Sequence, residues 1–139
     1  MRYIFDANIS FRLAEGLNIL EKGNRNDVGG VIEILHADQI IELGKGATDA
    51  QIIEYAGANQ TVIISQDDDF KRIKSNKELL KQLHVGYVLY IPPKHGMRYW
   101  EMVEAFICGW KDLKEKLHNE HAPFIFKIDK SGKIQKIPL

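Results

Sequence analysis

Thr61-Val62-Ile63-Ile64-Ser65 runs straight into Gln66-Asp67-Asp68-Asp69-Phe70. The first five residues have the β-branched character of a central strand. The acids arrive where that strand ends. Consecutive aspartates repel one another, and a helix cap needs only one of them. Asp67 and Asp69 lie two apart, so in extended geometry they project to one side while Asp68 points away. A strand that delivers carboxylates from its C-terminal end suits a parallel α/β sheet, in which ligand sites gather at that edge.

The chain on either side agrees. Arg2-Tyr3-Ile4-Phe5 reads as a short buried strand that ends in Asp6. Asn8 is placed to cap the helix that follows, with Ile9, Leu13, Leu17 and Leu20 as its apolar side. After a turn-rich loop over residues 21–30, Val31 to Leu35 reads as a second strand, and the short helical turn behind it ends at Gly44. Thr48 and Gln51 form a T-x-x-Q capping box, with Ile52, Ile53 and Ala56 as the apolar side of that helix. Ser75 and Glu78 predict a second box, opening a helix that runs through Leu83. Val88 to Ile91 is a fourth strand, stopped by Pro92-Pro93. Trp100, Val103, Ile107, Trp110, Leu113 and Leu117 form an apolar stripe along a helix over residues 96–118. Their core spacing argues against Trp100 and Trp110 as base-stacking platforms. Phe124 to Ile128 and Lys133 to Ile137 flank Ser131-Gly132 as a C-terminal β-hairpin. The alternation predicts one α/β domain over residues 1–139, with a mainly parallel sheet covered on both faces.

In such a unit the first and third strands are close neighbours, so Asp6, Asp67 and Asp69 would share one crevice. Asp49, in the first turn of its helix, has two readings. It joins that crevice, or it simply answers the helix dipole, which favours an acid there by about 0.3–1 kcal/mol. Two carboxylates about 4 Å apart repel by roughly 4 kcal/mol at an effective dielectric near 20. Four together call for a cation or shared protons, and oxygen ligands favour a hard divalent ion, Mg²⁺ or Mn²⁺. Charge is also divided along the chain. Residues 1–70 hold 5 Lys/Arg against 12 Asp/Glu, net −7, and residues 71–139 hold 14 against 7, net +7. Lys71, Arg72, Lys74 and Lys77 follow the acidic block at once. They would guide a polyanion such as RNA toward it, or they are a solvated helix face.

A hydrophobic content of 45 % excludes a disordered chain. The single cysteine, Cys108, excludes an intrachain disulfide and suits a reducing cytoplasm. MRYIFDANIS holds no apolar run of signal-peptide length, so a soluble cytoplasmic protein with no membrane partner is expected. Gly44-Lys45-Gly46-Ala47-Thr48 lacks the spacing of a phosphate loop, the five histidines lack a zinc pattern, and no serine sits in a G-x-S-x-G elbow.

Phe5-Asp6-Ala7-Asn8-Ile9, Ala47-Thr48-Asp49, and Ile64-Ser65-Gln66-Asp67-Asp68-Asp69-Phe70 together resemble the PIN-like nuclease families. The likeness is nearest to the short PIN-like proteins grouped with VapC-type toxins of toxin–antitoxin systems. It implies a three-layer α/β/α fold and a Mg²⁺- or Mn²⁺-dependent endoribonuclease. Asp6, Asp49, Asp67 and Asp69 would be the catalytic, metal-holding acids, with Asn8 and Ser65 as supporting polar groups. Arg12, one turn after Asn8, would approach a phosphate or form a surface ion pair. Larger PIN nucleases place a glutamate where Asp49 stands, so this shorter side chain would hold the ion through water. A cognate antitoxin and a homodimer are the expected protein partners. Two other classes share parts of this pattern. A non-catalytic PIN-like module would hold RNA or an antitoxin without turnover. A receiver-type phosphoacceptor domain would want an acidic pair after the first strand, where Asp6 is followed by Ala7 and Asn8.

Overall fold

The computed structural model describes residues 1–24, 30–67, 70–96 and 98–139. Its strands are β1 (Arg2–Phe5), β2 (Glu33–His36), β3 (Thr61–Gln66), β4 (Gly86–Tyr90), β5 (Phe124–Ile128) and β6 (Ile134–Ile137). Its helices are α1 (Phe11–Glu21), α2 (Asp49–Ala58), α3 (Lys71–Leu83) and α4 (Arg98–His118), with a 3₁₀ turn at Ala37–Gln39. The strands form one sheet in the order β2-β1-β3-β4-β5-β6. All pairings are parallel except β5 with β6, which form the C-terminal antiparallel hairpin. The strand order reverses between β1 and β3, which places a crevice at their carboxyl ends.

Side-chain alternation sorts the core into two layers. Tyr3, Phe5, Ile64, Val88 and Tyr90 pack with Leu13 and Leu17 of α1 and with Phe106, Trp110 and Leu113 of α4. Ile4, Ile63, Tyr87 and Leu89 pack with Ile52, Ile53 and Ala56 of α2 and with Ile73 and Leu80 of α3. The result is the expected three-layer α/β/α architecture. The hairpin turn meets α4 closely, since a Cβ on Gly109 would stand 2.8 Å from the Gly132 carbonyl oxygen. Gly132 itself has φ +82°, a left-handed conformation that glycine adopts without strain.

Several local expectations change. Ser10, not Asn8, caps α1, its hydroxyl accepting from the Arg12 amide at 3.2 Å. α3 begins four residues before Ser75, whose hydroxyl donates to the Lys71 carbonyl inside the helix at 3.1 Å. The earlier start is supported by Phe70, turned into the left-handed region at φ 65°, and by the Asp67 carboxylate, which accepts from the Arg72 amide at 3.2 Å. Leu20 is 64 % exposed, because the buried face of α1 is carried by Leu13, Ala14, Leu17 and Glu21. The buried stripe of α4 runs through Met102, Phe106, Gly109, Leu113 and Leu117, leaving Trp100 and Ile107 outside the core at 62 % and 49 % exposure. Two overlapping rows of three- and four-residue steps exist in that helix, and hydropathy alone selects the wrong edge of the stripe. Trp110 is buried as expected.

One charged pair lies inside the α1/α4 layer. Lys114 Nζ is 2.9 Å from Glu21 Oε1, and both side chains are over 90 % buried. The Trp110 indole N–H donates to the same oxygen at 2.6 Å, and the Asn24 amide donates to Oε2 at 2.9 Å. Burial alone would push the Glu21 carboxyl up, but the hydrogen bonds from Asn24, Lys114 and Trp110 and the lysine charge hold it below its usual range. Lys114→Met leaves this carboxylate without its cation and should cost about 3–5 kcal/mol of stability. Glu21→Leu with Lys114→Met should cost less, since no charge is stranded. Urea denaturation of both variants checks this, and a single variant within error of the wild type would mean that the pair does not form in solution.

Candidate functional site

Strand register brings the site together. Phe5 lies level with Ile64, and Ile64 with Val88. One residue further on, Asp6 donates its amide to the Ile64 carbonyl at 2.8 Å, and the Asp67 amide donates to the Tyr90 carbonyl at 3.2 Å. Counting by twos from Ile4 gives Asp6, and from Ile63 gives Ser65 and Asp67. These side chains therefore fall on the α2/α3 face of the sheet's carboxyl edge. Asp6 and Asp67 are 5 % and 8 % exposed, and Ser65 is fully buried. Tyr87 of β4 closes the floor of a small crevice with Asp6, Asp49, Ile52, Ile53 and Ile63.

The helices supply the rest. Thr48 caps α2 through the expected reciprocal box, its hydroxyl accepting from the Gln51 amide at 3.2 Å while Gln51 Oε1 accepts from the Thr48 amide at 2.8 Å. That fixes Asp49 at the first helical position, facing the strand ends. Arg72, the second residue of α3, then reaches across the opening. Its guanidinium donates to Asp6 Oδ2 at 2.9 Å and, through Nε, to Asp49 Oδ2 at 3.1 Å, with a further bond to Asp49 Oδ1. The backbone amide of the same residue is the donor to Asp67 already described. One arginine thus touches three carboxylates from β1, α2 and the end of β3. Asn76, one turn along α3, donates to Asp49 Oδ2 at 3.4 Å and to the Arg72 carbonyl at 2.8 Å.

Asp6 is held from below as well. Its Oδ2 accepts from the Ser65 hydroxyl at 2.9 Å, and its Oδ1 from the Ala7 amide at 2.7 Å. Asn8 clamps the end of β3, donating to the Gln66 carbonyl at 2.6 Å and accepting from the Gln66 amide at 3.3 Å. Its side chain extends the ladder by one step, which explains why the helix cap passes to Ser10. The Asp49 carboxyl lies below its ordinary value because Arg72 hydrogen-bonds to it, an effect that outweighs its partial burial. The same bonds push Arg72 further up, and burial beside Asp6 and Asp49 pushes the Tyr87 phenol up.

Of the residues expected here, Asp6, Asp49, Asp67, Asn8 and Ser65 converge, while Asp69 and Asp68 lie outside the described residues. Arg12 is exposed on α1. Among the four cations after the acidic block, Arg72 turns into the crevice and Lys71 and Lys74 are exposed. Lys77 is half-buried and donates to the Pro138 carbonyl at 3.3 Å. The inward role of Arg72, and those of Asn76 and Tyr87, were not expected. Arg72 and Asn76 are i, i+4 partners on one face, a signal that becomes readable only once α3 is known to begin at Lys71. Among the described residues, no group of three or more His, Cys, Asp and Glu side chains is spaced to hold a metal ion.

Residues 1–90 match the family model of a PIN-like domain, a span that holds β1 to β4 and every residue of this site. No curated protein and no solved structure matches the chain.

A depressed carboxyl contributes stability above its unfolded value and loses it as pH falls through the folded value. For Asp49 the unfolded reference is 3.8, so the Arg72 pair is fully formed above that pH and weakens only below it. Carboxyl-carbon NMR of the wild type should place the Asp49 midpoint under 3.8, and Arg72→Gln should bring it back up. An ordinary midpoint in the wild type would show that the ion pair is not made in solution.

Proposed function

The chain belongs to the PIN-like domain family, and on that premise we propose that it is a Mg²⁺- or Mn²⁺-dependent endoribonuclease, the toxin component of a toxin–antitoxin pair. One observation carries the reading. Carboxylates from β1, α2 and the end of β3 meet around one residue at the topological switch point of the sheet, Arg72, whose guanidinium pairs with Asp6 and Asp49 and whose backbone amide donates to Asp67. Their chemistry fits a hard cation, being all oxygen and strongly anionic. Mg²⁺ needs only one or two direct carboxylates and fills its octahedron with water and substrate phosphate, so a closed protein shell is not required.

Asp6 and Asp67 would hold the ion directly and Asp49 would complete its surroundings. When bound, the ion supplies Lewis acidity and a water of lowered pKa. The other groups act on position and charge. Ser65 fixes which Asp6 oxygen faces the opening, and Asn8 keeps the β3 end from fraying. Tyr87, Ile52, Ile53 and Ile63 wall the crevice with low-dielectric surface, which strengthens every charge interaction inside it. Asp69 is assigned to orient the attacking water on the family resemblance alone. Hydrolysis forms the bond from water oxygen to phosphorus and breaks the bond to the leaving ribose oxygen. Lys71 and Lys74 would steer the RNA backbone. A small antitoxin protein and a second copy of the chain are the proposed partners. No helix among the described residues is long and apolar enough to cross a membrane.

A second reading, a PIN-like module that binds RNA or an antitoxin without cutting, draws support from Arg72, whose guanidinium pairs with both Asp6 and Asp49. Cleavage of mixed-sequence RNA separates the two. Nuclease activity should require Mg²⁺ or Mn²⁺, vanish with chelator, and fall by about 100-fold or more in Asp67→Asn or Asp6→Asn. Equal residual cleavage in the wild type and both variants would remove the nuclease assignment, and metal binding without turnover would favour the module.

A further inference from the structure

We propose that Arg72 is an exchangeable cation of the acidic centre, paired with Asp6 and Asp49 in the metal-free protein and displaced by the divalent ion onto the substrate phosphate. This rests on the metal reading above and names how loading of that site is controlled.

The geometry sets up a competition. The guanidinium engages Asp6 Oδ2 and both Asp49 oxygens, and so occupies one acid that would hold the ion directly and another that would complete its surroundings. A guanidinium and a divalent ion held against the same carboxylates repel each other, so binding of one weakens the hold of the other. The arginine also has somewhere to go. Its side chain is 34 % exposed, whereas that of Asp6 is 7 % exposed, so the cation sits on the solvent side of the acid it neutralises. Its main chain is held independently, by the amide bond to Asp67 and by the bond from Asn76 to its carbonyl. The long side chain can therefore swing while its Cα stays fixed at the mouth of the crevice. A guanidinium released there is a planar fork suited to two phosphate oxygens, in a way that a lysine is not. Lys71 and Lys74 are exposed on the same helix end. The internal pair thus has two roles in sequence: it keeps Asp6 and Asp49 neutralised while no ion is present, and it provides a phosphate clamp once the ion has taken its place.

Two measurements test this, one on the wild-type chain. In ¹H–¹⁵N spectra optimised for arginine side chains, the Arg72 Nε–H should shift as Mg²⁺ is added, with the same midpoint as the Asp6 and Asp67 amides. Arg72→Gln, which keeps the backbone bond to Asp67, should bind Mn²⁺ about tenfold more tightly by calorimetry, and with Ca²⁺ in place of the active ion it should bind a short RNA about tenfold more weakly. An Arg72 Nε–H that stays unmoved while the two amides saturate overturns the displacement and leaves the metal site standing. Unchanged or weaker Mn²⁺ binding by Arg72→Gln does the same. Amides that ignore Mg²⁺ altogether, in wild type and variant, overturn the metal reading itself and the exchange with it.

Discussion

Carboxylates that a fold drives to one place have to be neutralised, and in this protein the Arg72 guanidinium does so for Asp6 and Asp49. Asp6 is almost fully buried at the end of β1, where desolvation makes an unpaired charge costly by several kcal/mol. It cannot be moved, because its amide continues the β1–β3 ladder and Ser65 fixes its side chain. Arg72 meets that requirement and draws in Asp49 with the same group. Since Arg72 also offers its amide to Asp67, the ion pair and the start of α3 form one unit. The helix begins where the acids need a cation, rather than where the local sequence offers a cap.

Strand parity decides which acids meet. An offset of one residue in β1 or β3 would turn Asp6 or Asp67 toward α1 and α4, into the layer that holds Tyr3, Phe5 and Ile64. The apolar residues that fix the register therefore fix the site as well. Asn8 adds to this by pairing with both backbone groups of Gln66, which holds the strand end in line up to Asp67. Pre-organisation here comes from the backbone and from neutral polar side chains. The charged members then need little further positioning.

Much of this was legible in the chain and some was not, for identifiable reasons. The strand Thr61–Gln66, its acidic end, and its neighbourhood with β1 follow from β-branched composition and from a strand–helix alternation that leaves few topologies. The Thr48–Gln51 box was readable because both of its partners are local. Ser75 and Glu78 matched the same pattern and misled, because a box signature cannot compete with a carboxylate that long-range register has brought to the preceding turn. Trp100 and Leu20 misled for a different reason: a helix can carry two adjacent apolar rows, and only the tertiary partner decides which row is buried. The inward turn of Arg72 was hidden because its partners lie 66 and 23 residues away in the chain.

The division of charge between the two halves of the chain takes on a different meaning once the ion pairs are placed. A −7 segment followed by a +7 segment suggests an acidic pocket beside a basic surface for a polyanion. Among the described residues, ion pairs to the buried acids Asp6 and Glu21 cross that divide. Arg72 folds back on Asp6 and Asp49, and Lys114 folds back on Glu21. Part of the asymmetry is therefore used inside the molecule, where cations from the second half neutralise buried acids of the first. Lys114 lies beyond the segment matched by the family model, whereas Glu21 lies within it. The matched segment thus depends on α4 for charge as well as for apolar cover, because Trp110 and Lys114 share one Glu21 oxygen. Lys71 and Lys74 are exposed at the start of α3, on the same helix as Arg72. A phosphate backbone drawn there would arrive next to Arg72, the cation paired with Asp6 and Asp49.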